Sequence, residues 1–375
     1  MRAARPLGGR VVSRTFLAAL VIVLVALYFL AKRFMFGLGA VTNLNDGYPW
    51  GLWIAYDVVT GTAIGCGGYS MALLVYVFNK GRYHPLVRPA VMTSMFGYTL
   101  AGVAVFFDIG RYWHIYNLFL PWYANPDSVL LEVALCIALY SLVLWIEFAP
   151  TFLAHWHASR WRTRLDRAMF VFIALGILLP TMHQSSLGTM MIAAGQKLSP
   201  LWQTAWLPLL FLMTAVIMGY AAVVFESTLL ANRYGLPGEN RILGKLSGGV
   251  VWLVAGYLVV RFADVILRGQ LGLAFKGDLA ANMFWIENAL FLLPLVMLAG
   301  KSGRGRPRVL FLAAASLLLA GGVYRFDCYL IGFNPGNGWH YFPAVPEIVI
   351  TLGLISVELM AYLWFVKRLP VYREA

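Results

Sequence analysis

Charge is the scarcest commodity in this chain: 12% of its 375 residues are charged, against 61% hydrophobic. Soluble globular domains carry about 25% charged and roughly 45–50% apolar residues, so a water-soluble fold is excluded. Acidic residues are rarer still, 16 against 29 Lys and Arg, for a net charge of +13. That excess does not mark a nucleic-acid binder, because the cations are scattered over several short segments instead of lining one face. Cysteine is nearly absent. Cys66, Cys136 and Cys328 stand far apart without a Cys-x-x-Cys spacing, so no iron–sulfur or zinc site is encoded by this chain.

Long apolar runs take the place of charge. A membrane-spanning helix needs about 20 apolar residues. About ten such runs occur, near 15–35, 51–78, 90–107, 128–152, 168–187, 203–231, 247–267, 282–299, 309–324 and 346–366. Their apolarity is continuous, not alternating, which predicts helices and not a barrel. The expectation is an all-α, polytopic transmembrane protein without a soluble catalytic domain. Arg2, Arg5, Arg10 and Arg14 before Phe16–Leu30 imitate a signal peptide. No small-residue cleavage site follows, and Lys32 and Arg33 come directly after, so this segment reads as an uncleaved first span.

The positive charge falls in alternate gaps. With the N-terminus in the cytoplasm, the inside segments hold Arg2, Arg5, Arg10, Arg14; Lys80, Arg82, Arg88; Arg160, Arg162, Arg164, Arg167; Arg233, Arg241, Lys245; Lys301, Arg304, Arg306, Arg308; and Lys367, Arg368, Arg373, which is 21 of the 29. The outside keeps Lys32, Arg33, Arg111, Lys197, Arg268, Lys276 and Arg325, and Arg261 lies within a span. The positive-inside rule therefore puts both termini in the cytoplasm. Two outside loops are long and aromatic, 108–127 (DIGRYWHIYNLFLPWYANPD) and 325–346 (RFDCYLIGFNPGNGWHYFPAVP). Trp and Tyr anchor proteins at the headgroup region. The same residues also suit a docking surface or the mouth of a site for a flat, lipid-soluble ligand.

Ionisable groups at membrane depth are costly and point to function unless they pair. Asp57, Asp108, Arg111, His114, Glu132, His183, Arg261, Asp264, Glu287, Arg325, Asp327 and Glu347 gather toward the outer ends of the spans. Arg261 with Asp264, and Arg325 with Asp327, are the expected structural pairs. His183, in Thr181-Met182-His183-Gln184-Ser185-Ser186, reads either as a packing histidine or as a group that bonds a carbonyl and carries a proton. A b-type haem needs two facing imidazoles within helices. His84, His155 and His157 belong to inside loops and His114 and His340 to outside loops, so intrinsic haem is not expected. Asp57 sits in a glycine-rich second span that suits close helix packing. Glu147 and Glu226 toward the inside, with Glu358 in the last span, read as snorkelling carboxylates or as a proton path.

These stretches carry a resemblance. GLWIAYDVVTGTAIGCGGYS, FFDIGRYWHIYN, Pro126–Glu132 with the following span to EFAP, TMHQSSLGTM, and LIGFNPGNGWHYFPAVPEIVITLG are similar to the NrfD/PsrC-like integral membrane quinone-reactive subunits, in the HybB branch that accompanies periplasmic nickel–iron hydrogenases. The resemblance implies two four-helix bundles (51–187 and 203–324) flanked by the spans at 15–35 and 346–366, together one integral membrane domain of the bacterial inner membrane. It implies electron exchange between a quinone, menaquinone or ubiquinone, and a periplasmic ferredoxin-like iron–sulfur subunit beside hydrogenase large and small subunits. It implies no haem or iron–sulfur cluster in this chain. The quinone region it implies, at the outer face of the first bundle, holds His183, Asp57, Asp108, Arg111 and Glu132. Related subunits serve polysulfide, nitrite and multihaem cytochrome systems, and a secondary transporter is the rival class; broken helices at mid-membrane would favour it.

Overall fold

The computed structural model describes residues 4–155, 159–234 and 240–373, apart from the side chains of 4, 5, 154, 155, 159–162, 164, 166 and 373. Arg2 and His157 lie outside the described residues, as do the side chains of Arg5, His155, Arg160, Arg162, Arg164 and Arg373.

Ten of the described helices are long and apolar enough to cross a membrane: α1 Arg14–Phe36, α2 Trp53–Val77, α3 Gly81–Asp108, α4 Val129–Leu153, α5 Arg167–Ala193, α6 Leu207–Tyr234, α7 Asn240–Leu267, α8 Leu279–Leu298, α9 Pro307–Ile331 and α10 Val345–Arg368. They fall where the apolar runs predict, because a backbone in hydrocarbon must satisfy its own hydrogen bonds. Two strands of two residues, β1 Ala4–Arg5 and β2 Tyr372–Arg373, pair antiparallel and bring the chain ends together.

The difference lies at α9. The chain from Arg325 onward was expected to be loop, yet the helix continues to Ile331 through a wider π turn closed by Gly332 N donating to Asp327 O at 2.7 Å. Arg325 and Asp327 are fully buried within it. α2 contains π turns as well, at Trp53–Thr60 and Leu73–Val77, and is interrupted at 65–66.

The chain forms two compact units. The first contains Met1–Thr62, Val91–Leu179 and Pro335–Glu374; the second contains Ala63–Ala90 and Pro180–Asn334. In the first unit α1 runs along α10, and Ala26 sits so close to Gly353 that no Cβ fits there. Small residues at such a seam let helices approach where lipid offers no hydrophobic drive. Phe96, Phe148, Phe152 and Phe365 pack ring on ring between α3, α4 and α10. In the second unit α6 packs on α7 and α9, and α8 packs on the same two, closing a ring of four helices. Gly67 of α2 meets Gly219 and Val223 of α6 at this unit's edge.

Candidate functional site

In the first unit, α3 ends at Asp108, and its last carbonyls would be orphaned without a donor. Arg33 of α1 supplies one. Its Nε donates to Phe107 O at 2.8 Å and its Nη2 to Ile109 O at 2.5 Å. Arg33 is 1% exposed, and its guanidinium packs over the Phe34 and Tyr112 rings, 4.9 and 5.1 Å from their centroids. From this clamp the chain winds as a tight turn over Tyr112–Phe119, exposing Trp113, Tyr116 and Phe119. It re-enters α4 through Asn125, whose Oδ1 accepts from Asp127 N at 3.1 Å.

This loop roofs an open cavity of about 720 Å³ between α3 and α4. Arg111, His114, Asn117, Tyr123, Asn125 and Ser128 supply its polar groups among apolar residues that include Val105, Ile115, Leu118 and Ala134. Asn117 Oδ1 is buried and accepts no hydrogen bond. A second cavity of about 500 Å³ is lined by Val105, Ile115, Leu118 and Ala134 as well, then by Phe106, Ile137, Ala138 and Trp145. The shared walls make one groove, polar at the loop and apolar along the helices. That is the form of a site for a ligand with a polar head and a hydrocarbon tail.

Carboxylates gather beside α3 in the same unit. Asp57 is 9% exposed on the π turn of α2, and its Oδ2 accepts from Thr351 Oγ1 of α10 at 3.0 Å. Asp108, whose Oδ1 is buried without a partner, lies within electrostatic reach of Asp57, Arg33 and Glu347. Glu358 is half-buried and lies within such reach of Asp57 and Tyr56. Glu347 is 1% exposed and fully bonded: Tyr341 Oη donates to Oε1 at 2.5 Å, and Asn43 N and Ala344 N donate to Oε2 at 3.1 and 2.7 Å. Burial, then the bond to Glu347, pushes the Tyr341 phenol above its ordinary pKa, so it remains a neutral donor. Glu132 is half-buried in the first turn of α4, and Glu147 packs against Gly176 of α5.

His183 and Glu226 belong to the second unit. His183 is fully buried on α5, and the adjacent Gln184 Oε1 accepts from Arg325 Nη2 at 3.0 Å. Arg325 also donates to Phe211 O at 3.0 Å. The expected pairs are exchanged: Arg261 pairs with Glu287 at 2.9 Å, and Asp264 with Arg268 at 2.7 Å. Arg261 and Asp264 lie on one helix three residues apart, but α8 and the outer end of α7 offer better-placed partners. Arg325 is bonded to an amide and a carbonyl, and Asp327 is in hydrogen-bonding reach of the Glu287 carboxyl instead.

Of the predicted residues, then, the first unit gathers Asp57, Asp108, Arg111, Glu132, Glu147 and Glu358, and Arg111 lines the groove. Sequence reasoning missed Arg33 as a buried clamp, since a cation after an apolar run looks like a loop charge. It set His114 aside as a loop residue, although the aromatic run around it was the available signal. Among the described residues, no group of three or more His, Cys, Asp and Glu could hold a metal ion.

Comparison with known proteins matches residues 40–331 to the family described as "Polysulphide reductase, NrfD". The chain is 44% identical, over 98% of its length and 94% of the relative, to the "Probable Ni/Fe-hydrogenase 2 b-type cytochrome subunit" of Escherichia coli K12. It is 28% identical, over 90% of its length and 86% of the relative, to the "Menaquinone reductase, integral membrane subunit" of Nitratidesulfovibrio vulgaris Hildenborough.

Proposed function

The chain belongs to the NrfD polysulphide reductase family, and from that premise we propose that it passes electrons between an iron–sulfur partner subunit and the quinone pool of the inner membrane. It is a multi-pass inner-membrane protein and the membrane-anchoring subunit of a respiratory oxidoreductase. The catalytic partner in this reading is a periplasmic nickel–iron hydrogenase, after the relative that is 44% identical over nearly the whole chain. The exposed Trp113, Tyr116 and Phe119 form the surface on which a ferredoxin-like subunit docks. The cytoplasmic placement of both termini rests on the charge distribution, and the ring of α6–α9 is the second of the two four-helix bundles.

The observation that carries the quinone assignment is the two-part groove. A quinone offers two carbonyl oxygens on a flat ring and an isoprenoid tail, and it supplies two-electron, two-proton chemistry. Arg111, His114, Asn117 and Tyr123 are the groups that would hold the ring, and the walls from Val105 to Trp145 would receive the tail. Arg111 favours negative charge on a bound oxygen. Asp108 and Asp57 hold and move protons beside α3, Glu132 leads from the groove toward the loop side, and Glu147 and Glu358 of the first unit and Glu226 of the second are the further carboxyls that the reading assigns to proton transfer. The role of His183 as a carbonyl ligand rests on the resemblance of TMHQSSLGTM. Haem does not fit the imidazoles described: His183 is fully buried, whereas His84, His114 and His340 are exposed.

Affinity purification from the native membrane in gentle detergent, with mass spectrometry, is expected to recover an iron–sulfur subunit and a large redox subunit. A stable chain recovered alone would overturn the reading. In the recovered complex, Ala134→Trp fills the groove and is expected to abolish quinone reduction while dye reduction by the partner continues. Undiminished quinone turnover would remove the groove from the mechanism.

A further inference from the structure

The second unit holds a polar cluster that electron transfer to quinone does not require. α7 contributes Tyr257 and Arg261, one helical turn apart on one face. α8 contributes Glu287 and Asn288, and α9 contributes Tyr324 and Asp327. Tyr257, Arg261, Glu287, Tyr324 and Asp327 are all 0% exposed.

Within this cluster the ion pair is complete. Arg261 Nε and Nη2 both donate to Glu287 Oε1, at 3.3 and 2.9 Å, and Nη1 donates to Leu201 O at 2.7 Å. Glu287 Oε1 also accepts from Asn288 Nδ2 at 3.1 Å, and its Oε2 accepts from Trp202 Nε1 at 2.9 Å. Every nitrogen of the guanidinium is thereby taken up. Asp327 lies within electrostatic reach of Arg261 and in hydrogen-bonding reach of the Glu287 carboxyl, an acid-to-acid contact that needs a shared proton, and no N–H or hydroxyl donor reaches either of its oxygens. The Tyr257 hydroxyl, in electrostatic reach of Glu287, Arg261 and Asp327, has no hydrogen-bond partner, and the Tyr324 hydroxyl is paired with the Cys328 thiol.

Arg261 is the cation that acts on both Glu287 and Asp327, so it compensates one acid only. A buried carboxylate without donor or cation costs several kcal/mol, and orphaned buried polar atoms are rare in folded proteins. Asp327 also sits on a π turn, a helix irregularity that recurs at functional positions. In the first unit Asp108 likewise has a buried Oδ1 that no donor reaches, in electrostatic reach of Glu347 and of an arginine taken up by carbonyls.

We infer that Asp327 is a proton-binding site at membrane depth: its carboxyl takes one proton from water, holds it against the Glu287 carboxylate, and returns it. The site belongs to the second unit and is occupied whether or not quinone is bound.

The test is infrared spectroscopy of the whole complex in native lipid. The wild type is expected to show a carboxylic-acid carbonyl band that is lost in Asp327→Asn and shifts in D2O. A band that persists in Asp327→Asn, or one that stays unmoved after prolonged D2O exposure, would overturn the proposal. Should Asp327→Asn fail to assemble, Tyr257→Phe keeps the shape and, being in electrostatic reach of Asp327, must displace the same band; an undisplaced band overturns it equally. Quinone reduction is measured on the same preparations, so a failure of the electron-transfer reading shows separately.

Discussion

Arginine buried in hydrocarbon organises both units at the residue scale. Arg261 and Glu287 form a fully enclosed pair. Breaking such a pair from one side leaves an uncompensated charge and costs about 3–5 kcal/mol, whereas apolar replacement of both partners is far milder. Glu287→Gln is therefore expected to lower the amount of folded subunit in the membrane sharply, and Arg261→Met with Glu287→Met to restore much of it; detergent-resistant yield after a heating series reports both. Arg33 acts on the groove through the backbone, by tying Phe107 and Ile109 to α1. Arg33→Gln is expected to raise the KM for quinone about tenfold, equivalent to about 1.4 kcal/mol, with dye reduction by the partner unchanged. Arg33→Lys keeps the charge but lacks the planar fork, so it recovers part of that loss. Equal KM values in all three proteins would reduce Arg33 to a plain helix cap.

Element by element, the spans were legible and their irregularities were not. Hydropathy locates α1 to α10 because apolar length is a local property of the chain. It does not show that α2 and α9 pass through π turns, which place Asp57 and Asp327 in the interior. The glycines of α2 were legible as a packing surface, and the partner is α6. A Cβ on Gly219 would fall on Ser70 Oγ and lie 2.5 Å from Cys66 O. Gly219→Leu is therefore expected to separate α2 from α6 and cost about 3 kcal/mol or more, in the upper range for overpacking, seen as a lower midpoint of thermal aggregation of the complex. Gly249→Leu, at a position with open space around it, serves as the tolerated control.

For the whole molecule, the charge distribution and the pairing of β1 with β2 make one statement: an even number of crossings returns the chain to the side on which it began. Reporters that fluoresce only in the cytoplasm are expected to be active at both ends of the chain. Activity at one end alone would break the ten-span count, and inactivity at both would reverse the orientation. Composition and periodicity by themselves determined that this is a polytopic helical membrane protein, where its spans lie, and which few ionisable residues merit chemistry, because the cost of charge in lipid is written into local sequence. Pairing is different. That Arg261 reaches Glu287 and not Asp264, that Arg33 is a buried clamp, and that the 109–128 loop roofs a groove between α3 and α4 were decided by tertiary structure. Each depends on where helices distant in sequence present a donor, and no local pattern encodes that.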